Sequence, residues 1–164
     1  MAPAAGAGWP EWLAATPVAQ AMRDEPWLYP IVEIVHIAGF AVLVGAVALF
    51  DLRLLGCARA LPLRLLAAHL LPWAVGCLLL IVPAGLLMFA SHPRDFLDNG
   101  TFLLKMALLL AAGINAAAFH LGVWRRVAAW DVQAATPAGA RVHAGLSLLL
   151  WLGVISCGRL LAYS

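Results

Sequence analysis

The chain has 164 residues, of which 65% are hydrophobic and 11% charged, and its net charge is +2. A mean hydropathy of +0.95 excludes an ordinary soluble domain and points to a lipid environment. About four or five crossing helices with short connections fill this length and leave none for a separate catalytic domain, so one membrane domain is expected.

The opening MAPAAGAGWP lacks the positive start and long apolar run of a signal peptide, which predicts that Met1 stays in the mature chain. Residues 1–27 read as a segment in front of the membrane domain. Within it Trp9, Trp12, Leu13, Val18 and Met22 fall on one side of a short helix broken near Pro17. Tryptophans favour the membrane interface, so this helix is expected to lie there. Four stretches reach the roughly 20 apolar residues that a crossing needs: about Leu28 to Leu49, Leu65 to Ala90, Phe102 to Trp124 and Val142 to Tyr163. Their apolar runs are continuous rather than alternating, which excludes barrel strands. The predicted fold is therefore all-α and integral to the membrane: a four-helix up-and-down transmembrane bundle over residues 28–164, preceded by the interfacial helix.

Arginines set the orientation. Arg53, Arg59 and Arg64 fall in the first connection and Arg125, Arg126 and Arg141 in the third, which predicts that both connections are cytoplasmic. Both termini then face outward, with Glu11, Asp24, Glu25, Asp95 and Asp98 on the same side. In a bacterial inner (plasma) membrane that side is the periplasm. The net positive charge needs no nucleic acid to explain it. Cys57, Cys77 and Cys157 lack any CxxC spacing and read as small packing residues, as do the glycines and alanines of the spans.

Polar residues at membrane depth are costly and mark functional candidates. Glu33, His36, His92, Lys105 and Arg159 belong to the outer half, whereas His69, His120 and His143 belong to the inner half. Each of these three histidines alone reads equally well as an interfacial residue with its polar tip in the headgroups. Together, on three helices at one height, they suggest haem held inside a helix bundle. Second and fourth helices are diagonal in such a bundle, so His69 and His143 are expected to meet across its centre, with His120 as a supporting or alternative ligand. Met106, Gly113 and His120 recur every seven residues along one face of the third span, about 21 Å from end to end. Such a face suits two stacked cofactors, although a methionine there more often packs than ligates.

For the outer tier His36 is the expected ligand, with Met106 or Met88 opposite and Arg159 and Lys105 near the propionates. Glu33 and His36 form an ExxH pair, but no other span carries a glutamate, which argues against a di-iron centre, and a zinc site lacks a third ligand. Glu33 is instead expected to pair with Arg159 or Lys105, and Asp51 with Arg53.

The stretch HIAGFAVLVGAVALFDLRLL resembles the first span of the superfamily that contains the copper-resistance D membrane proteins and the membrane-type protoporphyrinogen oxidases. LLPW, GLLMF, FLLKMALLLAAGINAAAFH and SLLLWLGVISCGRLLAY look like an uncharacterised bacterial inner-membrane family near them. The resemblance runs from about Leu28 to Tyr163. It implies a four-helix fold and, through the oxidase branch, a b-type haem on His36; that branch also carries a functional lysine on the third span, the span on which Lys105 lies. The oxidase activity itself belongs to the same haem-binding class.

Three functions are then expected in turn. The leading one is a small membrane cytochrome holding haem b and moving electrons, between a quinol and a periplasmic redox partner. The second is a copper transport or resistance protein with a soft-metal site of His36, Met88, Met106 and His92. The third is an accessory or anchoring subunit of a larger membrane complex or homo-oligomer, docked through its tryptophan segment.

Overall fold

The computed structural model describes residues 8–132 and 134–163. Its elements run α1 (Trp9–Ala14), α2 (Pro17–Asp24), α3 (Leu28–Leu55), α4 (Leu63–Ser91), α5 (Pro93–Leu97), α6 (Gly100–Leu121), a 3-10 segment (Val123–Ala129) and α7 (Ala138–Leu160), with no strand among the described residues. The expectation for Met1 lies outside them.

Local chemistry explains most of the boundaries. The Thr16 hydroxyl accepts the Ala19 N–H and Pro17 opens α2, which is why the interfacial helix breaks there. The Asn99 side chain accepts the Thr101 and Phe102 amides and starts α6 two residues before the expected span. The first span extends to Leu55, further than its apolar run suggests, and stops at Gly56. With φ of 110° that residue sits in the left-handed region that favours glycine, and the Cys57 and Gly56 amides close on the Leu52 and Arg53 carbonyls. Beyond Gly122 the chain tightens into the 3-10 segment, so the third span ends at Leu121 rather than Trp124. The short α5 had no apolar signature and was not expected.

All four long helices are apolar and long enough to cross a membrane. In the most apolar window of each, between 17% and 28% of the residues are buried within the chain. Leu79, Leu110, Leu149 and many others face outward, where only lipid satisfies them. The chain is a multi-pass membrane protein and the bilayer is its surrounding medium.

The four spans form an up-and-down ring with one open side. α3 packs along α4, α6 along α7 and α3 against α7, whereas no Cα of α4 comes within 8 Å of one in α6. Small residues set the close sides: a Cβ at Gly39 would stand 3.0 Å from the Ile81 side chain, and one at Gly153 3.0 Å from Leu108. Buried Cys77 and Cys157 pack in the same way. Across the open side only side chains reach. Near the termini Phe89 stacks on Phe102 at 5.8 Å and Phe96 lies 5.0 Å from Phe102; at the arginine-rich end Phe119 joins the core containing Leu63 and Ala67.

Arg53 organises the arginine-rich end. It is buried, and its guanidinium donates to the Leu61 carbonyl at 2.8 Å, the Arg59 carbonyl at 3.1 Å and the Asp131 carbonyl at 3.0 Å. The expected ion pair with Asp51 is therefore not formed, because two residues of helix rotate the side chains apart and carbonyls freed by the turns take the guanidinium. Asp131 also accepts the Arg64 amide through its side chain at 2.9 Å and caps α4 across the bundle.

The N-terminal helices lie over the other end of α4. Ala19 and Met22 are the buried side of α2, whereas Val18, Trp9 and Trp12 are more than half exposed, so the expected single apolar stripe is divided between protein and interface. Trp9 stacks near Phe89 at 6.4 Å, and Arg23 donates to the Ser91 carbonyl at 2.8 Å. Arg94 donates to the Glu11 carboxylate and pairs with it, which holds that carboxyl below the ordinary glutamate value.

Replacing Arg53 by alanine leaves three carbonyls without a donor and should lower stability by about 3 kcal/mol in detergent melts, while the exposed Arg64→Ala should stay within about 0.5 kcal/mol. A melting shift equal for the two would contradict the role given to Arg53. Because the Glu11 pKa is lowered on docking, its contribution is complete above the ordinary glutamate range and is lost as pH falls through that range toward the lowered value. Amide protection in residues 9–14 should fall in that window, and Glu11→Gln should abolish the pH step.

Candidate functional site

The bundle holds two polar sites, one toward the termini and one toward the arginine-rich end. The first centres on His36, half-buried on the α4-facing side of α3. Its Nδ1 lies 3.0 Å from the Ile81 carbonyl oxygen. A carbonyl only accepts, so Nδ1 carries the proton and Nε2 holds the lone pair; Nε2 makes no hydrogen bond among the described residues. Gly85, one turn beyond Ile81, makes room for the ring: a Cβ there would stand 3.2 Å from Cε1. Phe40 lies nearly parallel to the imidazole at 6.4 Å, and the Trp151 ring on α7 meets Phe40 edge-on at 5.8 Å. Lys105, half-buried on α6, interacts electrostatically with His36, as does Glu33. A Cβ at Gly158 would lie 3.9 Å from Lys105 Nζ, which places the ammonium against α7. All four spans thus contribute to the surroundings of one imidazole.

The second site is a cavity of about 110 Å³ between the spans. Its polar wall is Asp51 from α3, Asn115 and His120 from α6, and His143 and Ser147 from α7; α4 contributes Leu70, Leu71 and Ala74. Asn115 and His143 hold each other reciprocally. Asn115 Nδ2 donates to the His143 carbonyl at 3.0 Å, which fixes the amide orientation, and its Oδ1 then accepts from His143 Nδ1 at 2.7 Å. His120 packs edge-on against Phe119 at 5.2 Å and Trp124 at 5.8 Å. Asp51 is 5% exposed and shares the cavity wall with Ser147, and its Oδ2 is buried with no partner.

The predicted residues divide between these sites and the surface. His120 and His143 share the cavity. His69 does not join them: it is exposed, and its Nδ1 faces the Leu65 carbonyl of its own helix at 3.1 Å. No Cα of α4 lies within 8 Å of one in α7, so the expected meeting of His69 and His143 does not occur. The seven-residue face of α6 also fails to stay inside. Met106 is 39% exposed and Gly113 is open, while His120 reaches the cavity, because a straight helix turns about 20° per heptad away from a strict seven-residue stripe.

Glu33 is exposed and forms no ion pair with Lys105 or Arg159 among the described residues. Arg159 instead donates to the Tyr163 hydroxyl, with its guanidinium 4.6 Å from that ring centre. His92 is exposed at the end of α4, its ring 3.0 Å from the Ser91 hydroxyl, and Met88 is half-buried one turn beyond Gly85. Groups of three or more histidine, cysteine, aspartate or glutamate side chains placed to hold a metal are absent among the described residues. Sequence reasoning missed Asn115, Ser147 and Asp131. Asn115 carried a usable signal, a lone amide deep in an apolar span.

Residues 28–164 match a family of unknown function, DUF6644. The chain belongs to this family. The match starts at the first residue of α3 and takes in all four spans. No curated protein matches the chain, and no solved structure does. This DUF6644 member therefore has to be read from its own two sites.

Replacing Asn115 by leucine keeps the volume but removes both partners of His143. Stability should fall by about 2 kcal/mol, whereas Ser156→Ala, on an exposed face of α7, should leave it unchanged. Equal melting temperatures for wild type and Asn115→Leu would show that the Asn115–His143 pair does not hold α6 to α7.

Proposed function

We propose that this DUF6644 protein is a small b-type haem protein of a bacterial inner membrane that passes single electrons, with His36 as the residue that would hold the iron. The observation that carries the reading is the tether of His36 Nδ1 to the Ile81 carbonyl. A metal-binding histidine is held in this way, its second nitrogen bonded to a carbonyl or carboxylate that fixes the tautomer and makes the free nitrogen more basic. Gly85 supplies the space that an alanine would fill, and Lys105 supplies positive charge suited to a propionate. Haem held there would supply one-electron redox chemistry. The chain's own part is to present Nε2, to exclude water by the apolar spans and to hold a cation nearby.

The donor set fits one haem rather than two. At the inner tier His69 points away from the cavity and His143 is bonded to Asn115, so the pair of imidazoles expected there is not assembled. Of the two methionines considered as a further ligand, Met88 would be the one to help hold the group, since it follows Gly85 by one turn on the helix that already holds the ring, whereas Met106 is turned outward. The positive-inside rule supports placing the arginine-rich end in the cytoplasm and both termini in the periplasm. A quinol dissolved in the membrane and a periplasmic acceptor are the partners that a haem at this depth would serve.

Absorption spectra of the detergent-purified protein, oxidised and dithionite-reduced, should give a sharp reduced α-band with close to one haem per chain, and His36→Ala should lose it. Haem content unchanged by His36→Ala would sink the assignment. Stoichiometric copper with no haem band would transfer His36 to the soft-metal reading, with Met88 and His92 as its further ligands.

A further inference from the structure

The second site has features that the haem reading does not use. Asp51 is an acidic side chain 5% exposed, set in a membrane span, and its Oδ2 is buried without a partner. An isolated carboxylate in such a medium is very costly, so it must carry a proton or face a cation. The groups that face it are few. On its own helix Arg53 is committed to three carbonyls at the end of the bundle. From α7 come the Ser147 hydroxyl and the His143 ring, from α6 the Asn115 amide and the His120 ring, and α4 offers no titratable group to the cavity. Neither histidine comes within 4.0 Å of the carboxylate to make an ion pair.

We infer that this cavity is a proton-binding site, in which the Asp51 carboxyl group carries the proton and His120 and His143 relay it to the arginine-rich face. A hard metal ion is a poorer occupant. It wants about six oxygens, whereas the cavity offers Asp51 and Ser147, the Asn115 oxygen being already taken by His143. The volume of about 110 Å³ has room for a few water molecules at roughly 30 Å³ each in the liquid. Water there spans the gaps between carboxyl and imidazoles that direct hydrogen bonds do not. His120 is half-buried and so reaches from the cavity toward the outside, which gives the proton a way in. His143 has its Nδ1 proton committed to Asn115, so its Nε2 is the nitrogen able to accept. This site lies at the opposite end of the bundle from His36 and stands whether or not haem is bound there.

Infrared spectroscopy of the full chain in lipid bilayers tests the inference. At neutral pH a C=O stretch of a protonated carboxylic acid is expected, shifted on transfer to D₂O, lost in Asp51→Asn and moved rather than lost in Asp51→Glu, which also guards against a variant that fails to fold. His120→Ala should slow the D₂O shift at least tenfold. Absence of the band at neutral pH, its persistence in Asp51→Asn, a band that never exchanges, or its removal by sodium chloride at constant pH would each overturn the proton site, the last by making it a sodium site.

Discussion

A bilayer offers no water to a buried polar group, and nearly every polar side chain in this bundle is placed to answer that constraint. Arg53 is taken up by three carbonyls that the turn regions leave open. Ser91 returns its hydroxyl to the Met88 carbonyl at 2.6 Å, and Asn115 and His143 close on each other. Bonded in this way, each group adds rigidity to the bundle. Two atoms outside this pattern bear on function. Nε2 of His36 makes no hydrogen bond among the described residues and Oδ2 of Asp51 is buried without one, and the functional reading of the protein rests on them.

Both atoms belong to α3, fifteen residues apart, which places them about 22 Å from one another along the helix. The helix can carry both because it has a neighbouring span on each of two sides, α4 and α7. Close packing on the α4 side, with Gly39 against Ile81 and Gly85 against the imidazole, fixes the carbonyl that orients His36. On the α7 side Ser147 shares the cavity wall with Asp51. The open side between α4 and α6 is bridged by side chains, Phe89 with Phe102 at one end and Phe119 in the core with Leu63 and Ala67 at the other.

Continuous apolar runs made the four crossings legible, because lipid demands them whatever the packing. Their ends were less so: Gly56 and Asn99 set the limits of α3 and α6 through capping geometry rather than hydrophobicity. At the sites, depth could be read from distance to the nearest arginine, and His36, His120 and His143 were singled out by it. Rotation could not. Whether a residue faces the bundle or the lipid depends on which helices pack closely, and small residues set that at only a few positions. Hence His69 and Met106, at the right heights, turn outward, and Glu33 lacks the cation expected for it. Asn115 and Ser147 passed unnoticed because an amide or hydroxyl is cheap enough in a span to attract little attention, though here Asn115 orients His143 and Ser147 shares the cavity wall with Asp51.

The most direct test of the central claim is the coupling between the iron and an imidazole nitrogen. Pulsed electron paramagnetic resonance of the oxidised protein, grown with ¹⁵N-labelled histidine, should show ferric haem whose electron spin couples to a histidine nitrogen. Ferric haem without that coupling, or no haem in a folded preparation made with haem supplied, would contradict the account of His36.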